Sequence, residues 1–230
     1  MTLIPKKIFQ TISNKENLDK RILENIEFLK RINPDFEYQL YDDNDCYNFI
    51  KNNYDQYILN AYEKINSCYG PAKADLFRYL LMYKYGGVYL DIKSTCIKPF
   101  SYIIKDDDEY ILSYWSSIHP SGIFVRNLHG EFQQWHIICV PEHPFLKAVI
   151  DKVISNIYNY DIKKNGVGKQ AVLNITGPYA YTRAILPIKI KHKHILYKNH
   201  KYIGLKYDIF DHIKYFGNNH YSLCKEKVII

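Results

Sequence analysis

Apolar residues recur along this chain with two different periods, and the switches between them outline alternating strands and helices. The run IFQTI inside Leu3–Ile12, after Pro5, has the length of a short buried strand. Leu18, Ile22, Ile26 and Leu29 then return every three or four positions, which predicts an amphipathic helix over Asp19–Ile32. Asn33-Pro34-Asp35 ends it, because the residue before proline avoids the α region. Phe36–Tyr41 alternates as a strand, and the acidic turn Asp42-Asp43-Asn44-Asp45 offers a cap to a following helix. Pro71, at a favoured first-turn position, opens a helix carrying Ala72, Leu76, Leu80 and Tyr83 as far as Tyr85. Gly86-Gly87 stops that helix, and Val88–Ile92 reads as a short strand. Ile111–Tyr114, Ile123–Val125 and Ile137–Val140 are further strand candidates, and Phe145–Tyr158 is helical in pattern. Strands alternating with helices predict an α/β fold with a largely parallel sheet and some antiparallel strands late in the chain.

Length and composition narrow this picture without changing it. A chain of 230 residues, 47% hydrophobic and 24% charged, has the make-up of one ordinary globular domain over residues 1–230. The formal charge of +7 favours anionic partners. The most basic stretch, Lys189–Lys201, alternates Lys and His with Ile and Leu, which suits a strand or sheet edge better than a nucleic-acid arm. No basic stripe interleaved with aromatics appears, so nucleic acid is not the expected partner. Cys46, Cys68, Cys96, Cys139 and Cys224 are odd in number and widely spaced, with no CxxC pair. They read as buried free thiols in a reducing compartment rather than a disulfide framework or a zinc site. MTLIPKKIFQTI lacks the features of a secretory signal, and no apolar stretch approaches ~20 residues. The expected location is therefore cytoplasmic.

The chemistry concentrates between Ala72 and Lys93. Asp75 and Arg78, three apart on a helix, share a face. Tyr89, Asp91 and Lys93, two apart, share a face if the strand continues. The double glycine between helix and strand lets the two faces approach one cleft. Ligands in open α/β sheets sit beyond the carboxyl ends of the strands, where Asp91 falls. Carboxylates there would accept from ribose or sugar hydroxyls, and cations would neutralise a diphosphate. Each residue also has an ordinary structural explanation: a surface ion pair for Asp75 and Arg78, core for Tyr89, and a strand-end turn for Asp91.

The motif IPKKIFQTI (Ile4–Ile12), the turn YQLYDDND (Tyr38–Asp45) and the gapless AKADLFRYLLMYKYGGVYLDIK (Ala72–Lys93) resemble, in that order, the pattern of glycosyltransferase family 32, as does Thr176-Gly177-Pro178. The resemblance is strong over Ile4–Phe100 and thins afterwards. It implies a GT-A, Rossmann-like mixed and mostly parallel sheet flanked by helices. It also implies a retaining transferase that takes a UDP- or GDP-sugar donor and a glycan or protein acceptor in glycan biosynthesis. Gln10 and Thr11 of the opening motif, together with Asp75, Arg78, Tyr89, Asp91 and Lys93, are then the expected donor-binding residues. Asp75 and Asp91 are the expected catalytic carboxylates.

Gln134, in the run Gln133-Gln134-Trp135-His136, is a third catalytic candidate, since an amide there would support the transition state; loop or core polarity is the plainer explanation of that run. His119, His129 and His143 lack metal spacing, and Asp106-Asp107-Asp108-Glu109 reads as a solvated turn.

Three departures from the pattern stand out. Lys93 occupies the position of the second Asp of the DxD motif, and an ammonium cannot coordinate a cation. Manganese or magnesium is therefore in doubt. Asp91 could still hold a metal with His220 or Asn218, Lys93 could supply the positive charge itself, or the protein could be an inactive sugar-nucleotide or glycan-binding module. Ile12 and Phe9 stand at the family's Trp and His positions, which leaves Trp115 or Tyr41 to stack on a base.

Overall fold

The computed structural model describes residues 2–115, 130–209 and 221–230. The predicted strand Ile123–Val125 and the residues His119, His129, Asn218 and His220 lie outside these. The described chain runs β1 (Lys7–Thr11), α1 (Lys20–Ile32), β2 (Glu37–Tyr41), α2 (Asp43–Asn53), α3 (Gln56–Lys64), α4 (Gly70–Tyr85), β3 (Gly87–Leu90), β4 (Thr95–Cys96) and α5 (Phe100–Ile103). It continues through β5 (Tyr110–Ser113), β6 (His136–Cys139), α6 (Pro144–Tyr158), α7 (Ile162–Asn165), α8 (Gly168–Ile175), α9 (Pro178–Ile185), β7 (Ile195–Tyr197), α10 (His200–Ile203) and β8 (Leu205–Lys206).

Six strands form one sheet in the order β2-β1-β3-β6-β5-β7, and β4 pairs with β8 separately. Strands β2, β1 and β3 are parallel, β6 runs antiparallel to β3 and β5, and β7 is parallel to β5. This is the expected mixed, mostly parallel α/β sheet. The period-2 alternation of the strands divides their side chains between two cores. Phe9, Tyr89, Ile137 and Leu112 face one side with α4 and α6, and Ile8, Val88, Ile138 and Ile111 face the other with Leu29 and Phe100.

Helix α1 starts where its pattern predicts, because the Asp19 carboxylate accepts the Arg21 N–H. The acidic turn caps α2 as expected, with Asp42 and Asp45 bonding reciprocally as a capping box. Helix α4 is apolar nearly all round and buried over most of its length between the sheet and its helical neighbours.

The turn from α4 to β3 depends on glycine. Gly86, at φ 60°, donates its N–H to the Met82 carbonyl and ends the helix. A Cβ there would lie 2.6 Å from the Pro141 nitrogen and 2.8 Å from the Cys139 carbonyl oxygen, both backbone atoms that cannot move aside. Gly86→Ala is expected to destabilise the fold by about 2–4 kcal/mol, read as a lower denaturant midpoint at unchanged slope.

Several expectations need correction. Strand β3 ends at Leu90, and Asp91–Ser94 is a turn closed by the Ser94 N–H on the Asp91 carbonyl at 2.8 Å. Lys93 therefore does not share a strand face with Tyr89 and Asp91. The stretch Lys189–Lys201 supplies an edge strand only at Ile195–Tyr197, preceded by a 3-10 segment at Leu186–Lys191 and followed by α10. Asp108 is not solvated: it is buried and accepts the Lys105 N–H. Cys68 and Cys224 form a disulfide, while Cys46, Cys96 and Cys139 are buried free thiols as expected. The disulfide joins a 3-10 turn before α4 to the C-terminal segment, a contact between residues 156 apart that only the tertiary fold creates. It removes the argument by which five free thiols pointed to a reducing compartment. Among the described residues, no helix is long and apolar enough to cross a membrane.

Candidate functional site

The carboxyl ends of β1 and β3 and the middle of α4 converge on one polar cluster inside otherwise apolar packing. Arg78 is at its centre, almost fully buried. Its guanidinium lies over the Tyr89 ring, 4.8 Å from the centroid. Nη1 donates to Gln134 Oε1 at 2.8 Å and to the Gln134 carbonyl at 3.1 Å, and it forms an ion pair with Asp91 Oδ1 at 2.9 Å. Nη2 is 3.3 Å from Asp75 Oδ1, and Nε donates to the Ala74 carbonyl. Planar donors in a fixed fork make arginine suited to this many acceptors.

Asp75 is as buried as Arg78. Its two oxygens accept from Gln134 Nε2 and the Thr176 hydroxyl, each at 2.9 Å. Burial raises its carboxyl from the ordinary value to about 6, against the opposing pull of Arg78, Gln134 and Thr176. For Arg78, burial alone would lower the pKa, and Asp91, Tyr89 and Asp75 more than reverse that, so the guanidinium stays charged. Burial likewise keeps the Tyr89 phenol neutral, well above its usual range.

The raised Asp75 value has a consequence for stability. A carboxyl whose folded pKa lies above its unfolded one binds its proton more tightly when folded, so it lowers stability as pH rises from about 4 to about 6. Asp75→Asn lacks that titration. Relative to wild type the variant should gain stability across this window, by up to about 3 kcal/mol, and the gain should level off above it. Denaturation of both proteins at a series of pH values checks this; a difference that does not change with pH would contradict the assignment.

Asp91, with its side chain 22% exposed, is the part of the cluster that opens outward. Its N–H bonds the Trp135 carbonyl, and Tyr89 Oη lies 3.4 Å from Oδ1. Thr11 and Tyr89 share a hydroxyl contact of 2.9 Å across the parallel β1–β3 pair. Gln10 points to the other face of β1, fully buried. It donates to the Asp91 carbonyl at 3.0 Å and accepts from the Tyr38 hydroxyl, so it braces the turn.

Seven of the predicted residues, Gln10, Thr11, Asp75, Arg78, Tyr89, Asp91 and Gln134, are thus joined in one network. Lys93 stands apart from it. Its ammonium lies 3.4 Å from Asp208 and 4.1 Å over the Tyr207 ring.

Gln133 and His136 both bond the Ser113 hydroxyl, and Trp135 packs on Tyr207. His143 is structural, accepting the Phe145 N–H at the start of α6. Neither aromatic suggested for base stacking stands free. Tyr41 packs on Phe9, Phe49 and Phe77, and Trp115 meets Tyr207 edge-on. Tyr207 and Asp208 were not among the expected residues; no local pattern marks them. Thr176, by contrast, belongs to a motif already visible as Thr176-Gly177-Pro178.

A divalent cation fits poorly here. Asp91 Oδ1 is occupied by Arg78, and Lys93 replaces the second carboxylate. Among the described residues, no three His, Cys, Asp or Glu side chains are grouped to hold a metal.

The chain is also similar to known glycosyltransferases in sequence and in fold. Residues 19–110 match the family model described as a glycosyltransferase sugar-binding region containing a DXD motif. The chain is 25% identical over 202 residues to an initiation-specific alpha-1,6-mannosyltransferase of Schizosaccharomyces pombe, covering 80% of this chain and 48% of the relative. It is 28% identical to a mannosyl phosphorylinositol ceramide synthase of Saccharomyces cerevisiae (76% and 40% covered). It is 26% identical to an uncharacterized glycosyltransferase of Acanthamoeba polyphaga mimivirus (80% and 65% covered). The chain thus spans half or less of the length of the two yeast relatives.

Among solved structures, the PaToxG glycosyltransferase superposes with a TM-score of 0.58 at 18% identity, over 80% of this chain and 69% of that one. The ligand-free glycosyltransferase domain of the YGT toxin gives 0.54 at 11% identity, over 87% and 81%. Residues 19–110 thus carry a glycosyltransferase sugar-binding region, the chain resembles the family-32-like glycosyltransferases, and its fold is the GT-A fold of these solved domains.

Proposed function

We propose that this chain transfers a sugar from a UDP- or GDP-sugar to a hydroxyl of a glycan or protein acceptor, with retention at the anomeric carbon. The observation that carries the reading is the buried Arg78, held by Asp75, Gln134 and Asp91 at the carboxyl ends of β1 and β3. Ligands of open α/β sheets bind beyond such strand ends. In this reading Asp91, the partly open carboxylate, accepts from donor hydroxyls. Asp75 and Arg78 fix its position and bind the donor's ribose and sugar. Thr11 and Tyr89 border the nucleoside. Gln134, whose amide joins Asp75 and Arg78, holds their mutual geometry and faces the developing charge on the sugar. A preorganised set of this kind needs no rearrangement as charge develops. The retaining outcome follows the family resemblance alone. The similarity to a yeast mannosyltransferase and a mannosyl phosphorylinositol ceramide synthase makes mannose the first sugar to try.

The test is incubation with a panel of UDP- and GDP-sugars, including a mannosyl donor, and simple hydroxyl acceptors, following release of nucleoside diphosphate. Turnover of at least one donor is expected. A folded protein that neither binds nor turns over any member of the panel would remove the reading. Binding without turnover would instead favour a non-catalytic sugar-nucleotide module, the alternative that Lys93 at the DxD position raises.

A further inference from the structure

The turn Asp91–Ser94 is clamped along the segment that follows β8. The Ile209 N–H donates to the Lys93 carbonyl at 2.9 Å, and the Ser94 hydroxyl donates to the Tyr207 carbonyl at 2.7 Å. These bonds set the position of Lys93 independently of its charge. Its side chain is only 12% exposed, and the ammonium lies over the face of Tyr207, an arrangement that favours a cation. Tyr207 is in turn close enough to the cluster for Asp91 and Arg78 to act on its phenol, which burial first of all drives upward. A positive charge is therefore mounted two residues along the chain from the outward-opening carboxylate of the cluster, on the Tyr207 ring, which packs against Trp115 and Trp135.

The counter-ion of Lys93 is of a different kind. Asp208 is 43% exposed, and its oxygen is 3.4 Å from the ammonium. An ion pair with one partner open to water is weak, because water competes for the charge. With 43% of the Asp208 side chain exposed, water can take the place of the ammonium in this contact. A diphosphate beside Asp91 would offer Lys93 several oxygens of higher charge density.

We infer that Lys93 and Asp208 form an exchangeable ion pair in which the diphosphate of a bound nucleotide displaces Asp208 as the partner of Lys93, so that this lysine carries the positive charge a divalent metal would otherwise bring. The inference rests on the nucleotide-sugar reading above. Lys93 is then a diphosphate-binding residue, Tyr207 its support, and Asp208 a competitor that holds the lysine in place while the site is empty. An ammonium set two residues after Asp91 also accounts for the poor fit of that carboxylate to a metal.

The signs of the expected effects separate this from other roles. Titration of the protein with UDP and with GDP, by calorimetry, is done in chelator and again with manganese. Wild type should bind at least one of them equally well in both conditions. Lys93→Met should weaken that binding about tenfold in chelator, and Lys93→Arg should recover most of it. Asp208→Asn should tighten it by about threefold, because the competing anion is gone. A purely structural ion pair would leave affinity unchanged in Asp208→Asn, and a metal-ligating Asp208 would lose manganese-dependent binding in that variant. Either result overturns the inference, as does wild-type binding that requires manganese. Thermal melts accompany each variant; Lys93→Arg retains the charge, so a fold defect in Lys93→Met alone cannot imitate the full pattern. Failure of wild type to bind either nucleotide in either condition would instead overturn the nucleotide-sugar reading, and this inference with it.

Discussion

Arg78→Met is expected to cost about 3–5 kcal/mol of stability and to abolish nucleotide-sugar binding, because it leaves buried acceptors facing each other with no cation between them. Asp75 Oδ1, Asp91 Oδ1 and the amide and carbonyl oxygens of Gln134 all converge on this guanidinium. Without it, Asp75, already raised to about 6 by its burial, would take up a proton at neutral pH, and Gln134 would have no donor for its oxygen. Arg78→Lys should rescue neither property, since a single ammonium cannot reach Asp91, Asp75 and Gln134 together as a planar fork does. Chemical denaturation and calorimetric titration measure the two effects. A folded Arg78→Met protein with wild-type nucleotide affinity would show that the guanidinium is only core packing.

Asp91→Asn should separate function from folding. The amide keeps an acceptor for Arg78 Nη1, and the side chain is partly open to water, so the stability change should stay within about 1 kcal/mol. Transfer, by contrast, should fall by about 100-fold or more, the usual cost of removing one preorganised group that meets developing charge or a donor hydroxyl. The variant is compared with wild type in steady-state turnover and in a melt. Loss of turnover together with gross unfolding would make Asp91 a structural residue.

The parts of this molecule that local periodicity reports were legible in the chain. One strand, one helix, a second strand and a capped turn follow from the alternation between Phe9 and Asp45, and the helix–Gly-Gly–strand unit follows from α4 and β3. The i,i+3 spacing of Asp75 and Arg78 placed them on one helical face, where they are paired at 3.3 Å. Longer-range contacts were not legible. Gln134 reaches Asp75 because β6 pairs antiparallel with β3, and Thr176 reaches it across 101 residues. Neither register nor docking is encoded in a local period; packing of the whole core selects both. The same holds for the Cys68–Cys224 disulfide, and for Tyr207 and Asp208, which meet Lys93 because β8 pairs with β4 just beyond the Asp91 turn. The shared face of Tyr89, Asp91 and Lys93 depends on the strand continuing, and the two-residue period does not report that the strand gives way to a turn after Leu90.

The central claim is that the Asp75–Arg78–Asp91 cluster is a nucleotide-sugar site that performs transfer. Its most direct test is release of nucleoside diphosphate from a panel of UDP- and GDP-sugars by wild type and by Asp91→Asn, with melts run alongside. The account predicts turnover of at least one donor by wild type and near-complete loss in a variant that melts like wild type. Equal turnover by the two proteins would contradict it.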